Sequence, residues 1–91
     1  MAFSKTWFSK KVVSTDGYSV RMKNRASCIY EDEAGCVLVS VEMLATQGEW
    51  ALFSDYIVQD GDQIKDQARR SMICQRVTDA FRFLGLTIIP Y

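Results

Sequence analysis

The chain has 91 residues, of which 48% are hydrophobic and 24% charged, and this predicts one ordinary globular domain over residues 1–91. The net charge is zero and histidine is absent, which excludes histidine-based nucleophile pairs and the commonest zinc and haem ligand sets. Three cysteines without a CxxC pair do not make a secreted disulfide framework. We therefore expect a cytoplasmic protein with free thiols, no membrane-spanning segment, no cofactor and no bound metal.

The first predicted element is a β-hairpin that turns at Asp16 and Gly17. An Asp-Gly pair favours a two-residue type I′ turn, because both turn positions need a positive φ. Such a turn places Val13 opposite Val20 on the apolar side of the hairpin. Val12 then falls on the polar side.

A second hairpin is predicted to turn at residues 32–35, with Glu31 opposite Cys36. Further along the outward face of this hairpin, Arg25 then lies opposite Glu42, and we expect these two residues to form a cross-strand ion pair. A one-residue slip would exchange the faces of one strand, so this register is conditional. The face predicted to be buried consists of Ala26, Cys28, Tyr30, Val37, Val39 and Val41.

A further strand begins at Trp50 and either continues or kinks through Val58. From about Ile64 the hydrophobic period changes from 2 to 3.6, which predicts a helix of roughly five turns that ends at Gly85. Residues 86–89 follow as a short last strand. The predicted buried stripe of the helix is Ile64, Ala68, Met72, Ile73, Val77, Ala80, Phe81 and Leu84. Its predicted solvent face includes Arg69, Arg70, Gln75, Arg76, Asp79 and Arg82.

Together these elements predict an α+β fold. It comprises an antiparallel β-meander of about five strands, one long C-terminal α-helix packed on the sheet, and a short closing strand. The sequence contains no repeat, linker or low-complexity segment.

Catalytic and metal-binding patterns are weak. Glu31 and Glu42 could be imagined as an acid/base pair, but solvated strand carboxylates explain them more simply. The acids of residues 60–62 lack the spacing of a calcium loop. Cys74 has no histidine to activate it as a nucleophile. We expect a protein that is not an enzyme.

Charge is distributed unevenly along the chain. Residues 1–30 carry six cations and one acid, residues 31–66 carry nine acids and one lysine, and residues 67–91 carry four arginines and one acid. An acidic segment exposed as one surface would attract a basic partner and speed association with it. The alternative is that these acids lie in solvated turns and at a helix start, and that folding mixes the signs.

A single-stranded nucleic-acid-binding module is a second possibility. Aromatic and cationic residues alternate near the N-terminus, a combination that stacks bases and follows phosphates. A sheet followed by a helix also looks like the Whirly and PUR modules, which is an analogy of fold only. The acidic middle of the chain would repel a phosphate backbone. The residues concerned are Trp7, Phe8, Lys10, Lys11, Tyr18, Arg21, Lys23 and Arg25.

From residue 28 onward the sequence resembles small immunity proteins of bacterial polymorphic-toxin and contact-dependent growth-inhibition systems. The match lies in an aromatic-acidic stretch at residues 30–32, a β-branched strand at 37–40 and the Glu-Met-Leu-Ala run at 42–45. Phe53 and Ile57 fall where that family carries an aromatic and an aliphatic residue, and the arginine-bearing helix and apolar last strand also fit. About two-thirds of the chain is covered. The segment after Ile57 and the first hairpin depart from the pattern.

The resemblance implies an antitoxin that binds a cognate toxic domain, in many cases a nuclease, and occludes its active site in the cytosol. The toxin's basic surface would meet the acidic middle segment, with an aromatic anchor slowing dissociation. No nucleic acid would be bound except under the alternative. The predicted contact residues are Glu31, Asp32, Glu33, Glu42, Glu49, Trp50, Asp55, Tyr56, Asp60 and Asp62.

Overall fold

A computed structural model describes residues 3–6, 11–24, 26–45 and 48–90. The first seven strands form an antiparallel meander in chain order, and the last strand pairs in parallel with the sixth. The predicted α+β class and the C-terminal helix are confirmed, but the sheet has more strands than predicted and is mixed. The elements are β1 (Phe3–Thr6), β2 (Lys11–Ser14), β3 (Tyr18–Asn24), β4 (Ser27–Asp32), β5 (Gly35–Met43), β6 (Glu49–Gln59), β7 (Asp62–Gln63), α1 (Gln67–Phe83) and β8 (Thr87–Pro90).

The closing strand is parallel because α1 acts as a crossover. A helix carries the chain back across the sheet, so the following strand can enter beside β6 in the same direction. Ile88 of β8 lies opposite Trp50 of β6, and the Thr87 amide donates to the Gly48 carbonyl at 2.8 Å. The sequence analysis predicted this closing strand without giving its direction.

The predicted register of the first hairpin is wrong by one residue. The loop has three residues and ends at Gly17, which has a φ of 90°, whereas Asp16 has no positive φ. A three-residue loop of this kind shifts the pairing relative to a two-residue type I′ turn. Val12 therefore lies opposite Val20 and is buried, and Val13 points to the other face.

The second hairpin has the predicted register. Glu31 lies opposite Cys36 and Tyr30 lies opposite Val37. The predicted partner of Glu42, Arg25, lies outside the described residues. The buried apolar side chains of this hairpin are Cys28, Tyr30, Val37, Val39 and Val41, whereas Ala26, which was also predicted to be buried, is exposed.

Strand β6 contains a large bulge. Ile57 lies opposite Val39 and Leu52 lies opposite Val41, so the four residues 53–56 face Ser40 alone. This is the kink that the sequence suggested for this strand. Such bulges bend a strand and turn side chains out of the regular pattern.

The two-residue type I′ turn predicted for the first hairpin occurs instead between β6 and β7. Asp60 and Gly61 both have a positive φ, of 54° and 82°, and Gln59 pairs with Asp62 across them. This turn brings Asp60 and Asp62 to the same end of the sheet as the β4–β5 turn.

Helix α1 covers the concave face of the sheet. It begins at Gln67, three residues after the predicted start, because the Asp66 carboxylate caps it by accepting from the Ala68 amide at 3.1 Å. Gly85, with a φ of 79°, ends it as predicted. One apolar core joins the two layers, and the helix contributes Ile73, Val77, Ala80 and Phe81 to it. Ala68, predicted in the buried stripe, is exposed.

Candidate functional site

The structure divides the predicted contact residues between two ends of the sheet. The β4–β5 and β6–β7 turns lie at one end, because β4 to β7 are consecutive antiparallel strands. Glu42 and Glu49 lie at the opposite end, where β5 passes to β6. Asp55 belongs to the β6 bulge, and its side chain lies outside the described part of the chain. Residues at the first end are Glu31, Asp32, Glu33, Asp60 and Asp62.

A hydrogen bond holds the two acidic turns together. The Gln59 side-chain amide donates to the Ala34 carbonyl at 2.8 Å, and Gly35 fits so closely that an added Cβ would lie 3.0 Å from Gln59 Nε2. Next to these tied residues, Glu33, Asp60 and Asp62 are all exposed. We call these three residues the acidic rim. No lysine or arginine in the described ranges forms an ion pair with them.

Asp32 differs from its neighbours because its carboxylate is bound within the molecule and its side chain is only 6% exposed. Arg69 donates from Nη1 to Oδ2 at 3.1 Å and from Nη2 to Oδ1 at 3.3 Å. The Tyr30 hydroxyl donates to Oδ2 at 2.7 Å, and Arg76 Nη1 donates to that hydroxyl at 2.8 Å. We call Tyr30, Asp32, Arg69 and Arg76 the Asp32 network. It joins α1 to the β4–β5 turn.

The network shifts the protonation equilibria of its members. Burial alone would raise the pKa of Asp32, but hydrogen bonds from Arg69, Tyr30 and the Ala34 amide outweigh it and lower that pKa below its ordinary value of 3.8. The hydrogen bond to Asp32 raises the pKa of Arg69, and the hydrogen bond to Tyr30 raises that of Arg76. Asp32 is thus a bound anion at neutral pH, and its role in the fold leaves it little capacity to contact a partner.

The sequence analysis missed this network because it assigned Arg69 and Arg76 to the solvent face of the helix. Both are half-buried at the border of the apolar stripe. Their spacing was a usable signal, since residues seven apart lie on one helix face two turns from each other. The long arginine side chains then reach the end of β4, where they contact Asp32 and the Tyr30 hydroxyl.

Tyr18 belongs to the interior beside this network. It is 3% exposed, its ring lies 5.7 Å from the Tyr30 ring, and Arg76 Cζ lies 4.7 Å from its ring centre. A ring so placed does not stack on a base. Of the other residues behind the nucleic-acid alternative, Lys11 and Arg21 are cross-strand neighbours and Lys23 is exposed. Trp7, Phe8, Lys10 and Arg25 lie outside the described residues.

Glu31 is partly neutralised on the outer face of the sheet. Lys11 Nζ lies 3.9 Å from its Oε1, and Cys36 Sγ donates to Oε2 at 2.8 Å. That hydrogen bond raises the pKa of the exposed Cys36 thiol. Burial raises the pKa of Cys28 to about 12 and also raises that of Cys74. All three cysteines therefore remain thiols near neutral pH, whereas the reactive form of cysteine is the thiolate.

The two aromatic residues predicted as contacts have opposite placements. Trp50 packs edge-on against Phe81 with ring centres 5.9 Å apart, so it contributes to the core. Tyr56, in the bulge of β6, is 64% exposed, and its ring meets Phe53 edge-on at 6.5 Å.

Beside that aromatic pair, a groove of about 500 Å³ lies over the end of β5, with Ala26 on one side and Phe53 of β6 on the other. We call it the bulge groove. Sequence reasoning missed Met43 and Phe53 as lining residues. The kink of β6 was the only available signal. The lining residues are Ala26, Ser40, Val41, Glu42, Met43 and Phe53.

The described residues show neither a metal site nor a membrane-spanning helix. No cluster of three or more histidine, cysteine, aspartate or glutamate side chains suited to a metal ion occurs among them. Within the same residues, α1 is too short and too polar to cross a bilayer as a helix.

Comparison of the chain with protein-family models, with curated proteins and with solved structures finds no match. The likeness to immunity proteins therefore stays a prediction from the residues quoted above.

Proposed function

We propose that this chain is an immunity protein that binds a cognate toxin domain and occludes its active site in the cytosol, as in contact-dependent growth inhibition. The observation that supports this most is the acidic rim. Two hairpin turns, 25 or more residues apart in sequence, are held side by side and expose Glu33, Asp60 and Asp62 together. Their carboxylates have no ion pair with any described cation.

The proposed partner is a nuclease because a nuclease needs a basic surface to hold phosphates. A cluster of carboxylates can occupy such a surface in place of the phosphates. Charges of opposite sign also steer the two proteins together and raise the association rate. Fast capture suits an inhibitor that must act before the toxin reaches its substrate.

The experiment that tests the proposal is growth rescue by co-expression with the toxic domain encoded immediately upstream. The rim-neutral variant combines Glu33→Gln, Asp60→Asn and Asp62→Asn. Asparagine is chosen at position 60 because it tolerates the positive φ of 54° there. Asp32 is left unchanged, since its loss would weaken the fold and confound the result.

The unaltered chain should restore growth, and the rim-neutral variant should restore it poorly. The matched control is Asp79→Asn, which removes one acid from the helix, where Gln75 donates to it at 3.0 Å. This control should rescue fully. Absence of rescue by the unaltered chain would contradict the function, whereas full rescue by the rim-neutral variant would contradict only the assignment of the rim.

The second candidate function, single-stranded nucleic-acid binding, is favoured by one observation. Lys11 and Arg21 lie opposite each other on the face of the sheet that α1 does not cover, and Lys23 is exposed nearby. Fluorescence anisotropy with single-stranded RNA and DNA over a salt series tests it. Micromolar, steeply salt-dependent binding that is lost in Lys11→Ala and Arg21→Ala would favour this function over the first.

A further inference from the structure

The bulge groove has the dimensions of a binding site. Residues 53–56 leave the regular pairing opposite Ser40, and the groove lies over the adjoining end of β5, with Ala26 on one side and Phe53 on the other. The groove volume of about 500 Å³ falls within the range of roughly 300–1,000 Å³ that is usual for ligand sites. Bulges are also frequent next to functional sites.

The walls of the groove combine apolar surface with one negative charge. Met43 is 56% exposed, an unusual placement for a side chain of this size, and Phe53 forms another wall. Glu42 is exposed and has no ion pair with a described residue. Tyr56 extends the aromatic surface outward from Phe53. A matching occupant is apolar along its length and positively charged at its tip.

Lysine and arginine side chains have this combination of properties. Their methylene stems pack on apolar surface and their head groups remain charged. Aromatic ring faces attract such cations, and Glu42 adds direct charge complementarity. We infer that the bulge groove receives one lysine or arginine side chain of the toxin, an inference that rests on the proposed function. The stem lies against Met43 and Phe53, and the head group binds the Glu42 carboxylate.

The groove and the acidic rim can serve one interface. Glu42 lies seven residues along β5 from Gly35, which is next to the rim, and a strand rises about 3.3 Å per residue. The two regions are therefore roughly 23 Å apart along the strand. A standard interface buries about 800 Å² per partner, which corresponds to a patch about 28 Å across. One partner can reach both regions.

The experiment measures binding of a catalytically inactive form of the upstream-encoded toxin domain by biolayer interferometry. The groove variants are Glu42→Gln, Met43→Ala and Tyr56→Ala, whose side chains are exposed enough to leave the fold intact. Each should weaken binding about tenfold, mainly through faster dissociation. The matched controls are Asp79→Asn and Phe83→Ala, the latter an aromatic on α1 that is 46% exposed. Both should bind within about twofold of the unaltered chain.

A double-mutant cycle then identifies the occupant. Each lysine and arginine on the toxin surface is changed to alanine and paired with Glu42→Gln. One toxin residue should lose its effect, about tenfold, once Glu42 is neutralised. Urea midpoints unchanged by the groove substitutions verify that the variants are folded.

Three results would overturn the inference. If the groove variants bind like the unaltered chain while the rim-neutral variant binds weakly, the groove assignment fails and the proposed function stands. If the unaltered chain does not bind the toxin, both fail. If Met43→Ala instead abolishes a concentration-dependent dimer in analytical ultracentrifugation without changing toxin affinity, a second copy of the chain fills the groove.

Discussion

Asp32 and Glu33 are adjacent acids in one turn, yet they belong to regions with opposite properties. The Asp32 carboxylate is nearly buried and receives hydrogen bonds from Arg69 and Tyr30, whereas Glu33 is exposed and has no ion pair with a described cation. In the first region charge holds the helix to the sheet. In the second it is available to another molecule. The lesson is that the acidity of a segment says little until each carboxylate is assigned a partner.

The largest effect should come from Asp32→Ala. This change removes the acceptor of two side chains and leaves Arg69 and the Tyr30 hydroxyl without it, so the free energy of unfolding should fall by about 2–3 kcal/mol. Urea denaturation followed by circular dichroism measures it. If Asp32→Ala were as stable as the unaltered chain, the Asp32 network would have no part in holding α1 to the sheet.

The pH dependence of stability should identify Asp32 as the titrating member. Its pKa is lowered in the folded protein, because hydrogen bonds from Arg69 and Tyr30 outweigh the burial that alone would raise it. Its stabilising contribution is therefore complete above the ordinary value of 3.8 and is lost as the pH falls through the folded pKa. The stability difference between the unaltered chain and Asp32→Asn should shrink over that acidic range. A difference that stays constant there would assign the effect to another group.

Tyr30→Phe should have an intermediate effect. It deletes the hydroxyl that donates to Asp32 and accepts from Arg76, while the ring continues to fill the core. We expect a loss of about 1–1.5 kcal/mol in the free energy of unfolding. Tyr56→Phe is the matched control, since the Tyr56 side chain is 64% exposed, and should be neutral in the same urea measurement. Equal effects of both changes would contradict the special role of the Tyr30 hydroxyl.

The smallest effect on stability should come from the rim-neutral variant. Glu33, Asp60 and Asp62 are exposed and unpaired with described cations, so neutralising them should change the free energy of unfolding by no more than about 0.5 kcal/mol. Thermal and urea unfolding both measure this. A loss comparable with that of Asp32→Ala would mean that the rim is structural and would remove the contrast between the two regions.

Much of the fold was predictable because the hydrophobic periods are clean. The register predicted for the second hairpin is the observed one, and the change of period before α1 located the helix start within three residues. The first hairpin was misassigned because an Asp-Gly pair suits both a two-residue and a three-residue loop. Local sequence does not decide between them. The parallel entry of β8 depends on where the crossover helix packs, which is a tertiary property.

The candidate site was less predictable for a different reason. Net charge counted along a segment gives Asp32 and Glu33 equal weight, and only the tertiary structure shows that Arg69 binds one of them. The same holds for Trp50, which packs against the core, and for Tyr56, whose side chain is exposed at the β6 bulge. Pairing across 37 residues of chain, as between Asp32 and Arg69, leaves no local pattern to detect.

The central claim is that the acidic rim captures a basic toxin surface. The most direct measurement is the association rate constant of the inactive toxin domain with the unaltered chain and with the rim-neutral variant, at about 0.05 M and about 0.5 M salt. The account predicts fast association that slows steeply with salt for the unaltered chain. The variant should associate about tenfold more slowly at low salt and respond little to salt. Equal rates and equal salt dependence for the two proteins would contradict it.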